Sequence, residues 1–309
     1  MKKMINKQHI SGRLYQHTLE LKKSGENAKN PGTEFIAGNL DIATDENITN
    51  IVSIHFTYVT ASTSSGKTNA TFGVLKDIID GKLQSVMKDG ADKASYLTVD
   101  TAFDLNEFYS NRNGQEELVS VKRAEGGFVV VHSSLDEDET KRNTFDVDMI
   151  ITGTREVEAD EEKDLPRKLI LKGAIFNFRN ALLPVEFSVL SEGGIAYFES
   201  CEISQKNPLF TRLQGNVISE VVTVTKTEES AFGAPKVKKF TNTRKDYVVN
   251  WAAPEPYVWD DESTITMAEL SKAMSDREVT LAAIRQRQEE YQRSKNAAPA
   301  APAQGAFNF

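Results

Sequence analysis

Apolar residues in this chain come in short alternating runs separated by turns, and that pattern constrains the fold more than any other feature. Residues 10–21 alternate as one strand, 24–33 form a polar turn holding Gly and Pro, and 34–43 alternate again. A turn at 45–50 leads into a third run at 51–59. Neighbouring strands joined by short turns predict an antiparallel meander rather than β–α–β units. Further runs follow at 94–103, 118–124, 127–132 and 144–154, then at 169–178, 185–190, 195–201, 213–225 and 247–251. We read 118–132 as a hairpin turning at Glu125-Gly126, 106–114 as a polar loop with two adjacent aromatics, and 69–81 as a helix. Runs of this length and spacing, rich in β-branched residues, predict a mainly β chain of small barrels or sandwiches.

Charge divides the chain into blocks. Residues 1–133 carry 15 basic and 16 acidic groups, 134–164 carry 4 and 12, and 246–309 carry 6 and 10. Between them, 167–245 hold 12 basic against 7 acidic groups, a local excess of +5 in a chain of net charge −8. Blocks of opposite sign predict separate surfaces. The acidic run 156–164, closed by Leu165-Pro166, reads as a domain boundary. The expected organisation is a first β-domain over 1–157 and a basic second one over 165–260, then a helical segment over 264–293 and a disordered Ala/Pro tail over 294–309. Thr266-x-x-Glu269 and Ser275-x-x-Glu278 are capping boxes, which predict two helices, 267–274 and 276–293.

Chemistry-bearing residues are sparse. Cys201 is the one cysteine, so no disulfide framework arises and a reducing cytoplasm is expected, with Cys201 a buried structural thiol. The four histidines (His9, His17, His55, His132) stand singly, without metal-ligand spacing. No catalytic constellation, cofactor or metal is expected. The basic start at Met1–Lys7 is followed by no apolar core and no run approaches about 20 apolar residues, so neither a secretory leader nor a membrane span is expected. Ala61-x-x-x-x-Gly66-Lys67-Thr68 fits a relaxed phosphate-loop pattern between a strand and a helix; Lys67 would reach the phosphates and Thr68 a Mg²⁺. The antiparallel context argues for an ordinary flexible loop there.

The two halves open alike, with Ile10-x-Gly12-x-Leu14 and Leu171-x-Gly173-x-Ile175. A glycine in a first strand lets it bend sharply enough to close a small barrel, so duplicated oligonucleotide-binding (OB) barrels in tandem are expected. On these strands, on residues 207–215 leading into a long strand, on 228–235 between strands and on the Ala/Pro tail ending Phe307-Asn308-Phe309, the chain resembles the single-stranded DNA-binding proteins of bacteria and their phages. The resemblance implies a non-catalytic protein of DNA replication or recombination, in the cytoplasm of a host cell if viral. It would bind single-stranded DNA, with replication or recombination proteins recruited by the C-terminal helix or tail and self-association into homo-oligomers. The tail lacks the acidic tip usual in that family.

Such a protein works by neutralising phosphates and stacking bases on ring faces. The ring candidates are Phe176, Phe178, Tyr197, Phe198, Phe210 and Trp251, with Phe56 and Tyr58 in the first half; Phe176 and Phe178 are expected to share one face. The phosphate candidates are Lys172, Arg179, Arg212, Lys226, Lys236, Lys238, Lys239, Arg244 and Lys245. The competing readings are a phage structural or assembly protein with β-domains and no nucleic-acid role, and a nucleotide-binding protein working through Ala61–Thr68.

Overall fold

A computed structural model of the chain describes residues 4–112, 115–159, 166–228, 232, 236–261 and 264–297, without the side chains of 111, 112, 115, 220–228, 236, 238–244 and 295–297. The first six strands are β1 (Asn6–His17), β2 (Glu20–Lys23), β3 (Glu34–Ala43), β4 (Ile51–Thr60), β5 (Tyr96–Arg112) and β6 (Gln115–His132). β1 pairs antiparallel with β3 and β5, β3 with β4, and β5 with β6, while β4 and β6 pair in parallel and close the ring. Helix α1 (Ala70–Ile79) follows the third strand of the ring and buries Leu75 and Ile78 against Ile10, Leu14, Leu40 and Phe56. A four-residue turn of helix, α2 (Val86–Asp89), leads back to β5.

The second set repeats this plan. It consists of β7 (Asn143–Val157), β8 (Lys168–Phe176), β9 (Leu182–Val189), helix α3 (Glu192–Ser200), β10 (Leu209–Glu228) and β11 (Lys236–Ala252). β7 pairs with β8 and β10, β8 with β9, and β10 with β11; again the third and fifth strands, β9 and β11, are parallel. Five strands in this order with a helix after the third are the OB barrel. Two of them stand in tandem, as the alternating runs predict.

Several elements differ from the sequence expectation. β7 belongs to the second barrel, so the chain passes from one barrel to the other before Asn143, and the acidic run starts on the end of β7 and leads on toward β8 within that barrel. An acidic inter-strand connection has the same composition as a linker, which is why it reads as one. Residues 195–201 are not a strand: Ser191 caps α3 by accepting from Gly194 N, and Ile195 and Phe198 plug the barrel. Residues 106–112 are strand, not loop, and 115–132 are one long strand rather than a hairpin. The C-terminal segment is one helix, α4 (Met267–Ala297). The Thr266 box forms reciprocally (Glu269 N to Thr266 Oγ1 3.1 Å, Thr266 N to Glu269 Oε2 3.0 Å), whereas Ser275 lies inside the helix. The first residues of the expected disordered tail, 294–297, belong to α4, and the rest of it, 298–309, lies outside the described residues.

The two glycine-centred runs are also not equivalent: Gly12 is in a first strand and Gly173 in a second. They nevertheless do the same work. A Cβ on Gly12 would sit 2.0 Å from Ala43 O, and one on Gly173 would sit 2.0 Å from Ile150 O. Each glycine lets the first two strands of its barrel cross closely enough to close.

The barrels are fused. β1 and β7 pair antiparallel from Asn6↔Val147 to Ile10↔Asn143, so all eleven strands belong to one sheet. Phe103 of β5 enters the second core and meets Phe145, Phe187 and Tyr247 at centroid distances of 5.9, 5.6 and 5.2 Å. Beyond the barrels, β5 and β6 continue as a two-stranded arm, and so do β10 and β11. The first arm crosses to the second barrel, where Lys122 lies over Tyr247 (4.2 Å to the centroid) and bonds to Glu186 O. α4 anchors through Leu270 and Ala273, which pack with Phe176, Phe210 and Ile150.

Candidate nucleic-acid interface

A groove of about 1040 Å³ runs along the junction of the barrels, lined by β1, β4, β5 and β6 on one side and by β7 and the turn after β8 on the other. Three exposed rings line it: Tyr58 (49 % exposed), Phe128 (76 %) and Phe178 (68 %). Each is outward for a local reason. Tyr58 lies near the end of β4 and packs one side on Phe35, with centroids 4.5 Å apart. Phe128 follows Gly126 (φ 64°) and Gly127 (φ 123°), which form a bulge opposite Asp100–Ala102. A Cβ on Gly127 would lie 2.4 Å from Asp100 O, so only glycine fits, and the bulge redirects Phe128. Phe178 sits in the turn that Asn177 closes by accepting from Arg179 N and Ala181 N, and Arg179 lies over its ring at 5.0 Å.

The electrostatics are mixed. Lys7 and Arg179 line the groove with no carboxylate partner among the described residues. Three of the four acids are engaged: Asp100 with His9 (2.8 Å), Glu125 with Arg123 (2.8 Å) and Asp146 with Arg212. The fourth, Asp104, bonds only to Leu105 N among the described residues. Arg212 grips Asp146 through two nitrogens, and this pairing holds the guanidinium pKa above its ordinary value. On the same outer wall, burial lowers the pKa of His55, assisted by nearby Arg123. His55 is therefore neutral near pH 7, its Nδ1 2.7 Å from Asn39 Oδ1.

The predicted rings separate sharply. Phe56 (0 % exposed) faces the first core from β4, and Phe198 (2 %) plugs the second from α3. Phe176 and Phe210 lie on the outer side of their strands, but Tyr257, Trp259, Ile265 and α4 cover them. These four are core residues and cannot stack on a base without unfolding, which corrects their assignment. Phe176 and Phe178 do not share a face, because β8 ends at Phe176. Tyr58, Phe178 and Arg179 come together in the groove. Tyr197 and Trp251 line a separate pocket of about 320 Å³ beside α3. Phe128 escaped the sequence reading, although the Gly126-Gly127 pair before it was the available signal.

Among the cations, Lys172 pairs with Glu186 at 3.6 Å, and Lys245 lies 5.6 Å from the centroid of Tyr247. Lys226, Lys236, Lys238, Lys239 and Arg244 belong to the β10–β11 arm by backbone position, and their side chains lie outside the described residues. The phosphate-loop pattern is accounted for differently. Thr63 N, Gly66 N and Asn69 N donate to carbonyls within the loop, and Lys67 N donates to Thr63 Oγ1, so these N–H groups are not left free to cradle a phosphate. Among the described residues no cluster could hold a metal ion, and no helix is long and apolar enough to cross a membrane.

A family model described as YorF matches residues 5–293. The chain belongs to the YorF family. No curated protein matches it. Among solved structures, this YorF-family chain is similar to a deletion mutant of the single-stranded DNA binding protein from Thermus aquaticus. The identity is 10 % and the TM-score 0.45, with 85 % of this chain and 99 % of that one covered.

Proposed function

We propose that the protein binds single-stranded DNA without catalysing a reaction on it, serving DNA replication or recombination. One observation carries the reading: tandem OB barrels bring Tyr58, Phe128, Phe178, Lys7 and Arg179, from both barrels, into one open groove. Exposed rings in a polar groove suit unpaired bases, which offer π-faces that a duplex hides. With only two unpaired cations among the described lining residues, stacking rather than charge dominates inside the groove. The lysine-bearing β10–β11 arm is the natural source of further phosphate contacts.

The test is a fluorescence-anisotropy titration of labelled oligo-dT with the full chain. Tyr58→Ala, Phe128→Ala and Phe178→Ala are each expected to cost about 1–3 kcal/mol of binding, the worth of one stacked base. Duplex DNA is expected to bind more weakly than the single strand. Absence of oligo-dT binding, or indifference to all three substitutions, would overturn the proposal.

A further inference from the structure

The groove does not stop at Arg179. Asp104, Asn177 and Arg179 line it and also line a second groove of about 470 Å³, to which α4 contributes Arg277, Thr280 and Arg287. The two spaces therefore adjoin along the three shared residues. α4 is fixed across both barrels: Arg277 Nη2 lies 2.6 Å from Glu107 Oε1 on the first arm, and Nη1 donates to Leu182 O at the start of β9 (3.3 Å). Arg285 extends the clamp along that arm, pairing with Glu116 (3.1 Å) and lying over Tyr109. Arg287 is left without a carboxylate among the described residues, about 15 Å beyond Arg277 at 1.5 Å per residue.

This second groove has no aromatic wall; amides and a hydroxyl (Asn106, Asn177, Asn180, Thr280) share its lining with three guanidinium groups and with apolar side chains from β5, β9 and α4. Such a lining suits a sugar–phosphate backbone rather than bases, since backbone contacts come from side chains of these kinds. Three carboxylates share the walls: Glu107 occupies Arg277, and Asp104 and Asp276 confine the remaining attraction to Arg179 and Arg287.

We infer that α4 is the last wall of the strand path: an unpaired strand stacked on Tyr58, Phe128 and Phe178 continues past Arg179 and lays its phosphates along Arg287. This rests on the reading of single-strand binding above. The helix then lengthens the binding site as well as bracing the barrels.

The experiment compares oligo-dT of about eight and about twenty nucleotides on the full chain, as wild type, Arg287→Glu and, as a control on the exposed end of the helix, Arg293→Glu. Arg287→Glu is expected to weaken the longer oligonucleotide about fivefold or more and the shorter by less than about twofold, and to flatten the longer one's salt dependence by about 0.7 in log–log slope. Arg293→Glu is expected to change neither. Equal effects of Arg287→Glu on both lengths, no effect on either, or a loss matched by Arg293→Glu would overturn the inference. If neither oligonucleotide binds the wild-type chain, single-strand binding itself falls, and this inference with it.

Discussion

Phe176 and Phe178 stand two residues apart and have opposite fates. Phe176→Ala is expected to cost about 3–5 kcal/mol of stability, read from urea unfolding, because it empties space between β8, Phe210 and α4. Phe178→Ala is expected to leave stability within about 0.5 kcal/mol while weakening oligonucleotide binding. Alternation alone put both rings on one face, to stack or be buried together; what buries Phe176 is a segment about 80–95 residues further on, invisible to any local pattern. Lys122 shows the same limit from the side of charge. Lys122 is half-buried with its ammonium over Tyr247 and Phe187, and desolvation brings its pKa down to about 8 despite Asp246 and Glu186 nearby. Between pH 8 and about 10 the unfolded lysine holds a proton that the folded one has lost, so stability rises with pH across that window. Above it, Tyr247 and Tyr257, whose pKa values are raised chiefly by burial (Tyr257 to about 12), reverse the trend. Urea melts at pH 7.5 and 9.5 are expected to show a gain of roughly 1–3 kcal/mol from Lys122, which Lys122→Met removes, leaving only the part from Lys245, whose pKa desolvation also lowers; an unchanged gain in that variant would contradict the assignment.

Among the elements, strands with clean alternation were legible, as β1, β3, β4 and β7 show. Residues 195–201 were not, because a short apolar run has no decisive period and only the barrel's need for a plug after its third strand makes it helical. Glu125-Gly126 read as a hairpin turn because a bulge and a turn both draw on glycine; the register shift between Asp100 and Ala102 distinguishes them. Gly127→Ala is expected to destabilise the protein by roughly 1–3 kcal/mol and to reduce oligonucleotide binding by displacing Phe128. Ser275 read as a helix start, yet nothing near it breaks a helix, and Arg277 secures the continuous one to Glu107. Arg277→Ala leaves Glu107 buried and unpaired, at a cost of about 3–5 kcal/mol. Hydrogen exchange in residues 274–290 is the measurement, with faster exchange there than in β7 as the expected result.

For the molecule as a whole, tandem OB barrels followed from two glycine-centred strands and the spacing of the runs, although the glycines occupy different strands of their barrels. The basic block was a weaker guide. Lys168 pairs with Asp246, Lys172 with Glu186, Arg167 with Glu156 and Arg212 with Asp146, so much of its excess is spent on carboxylates rather than displayed on one face. Charge counted along a chain says where cations are, not what neutralises them. The groove arises instead from the β1–β7 pairing, which sets a ring from the second barrel opposite two from the first. Photocrosslinking of an oligo-dT carrying iodouracil, read by mass spectrometry of the peptides, tests that arrangement most directly. Crosslinks on peptides containing Tyr58, Phe128 and Phe178 within one complex are the predicted result, and crosslinks confined to one barrel, or to the Trp251 pocket, would contradict it.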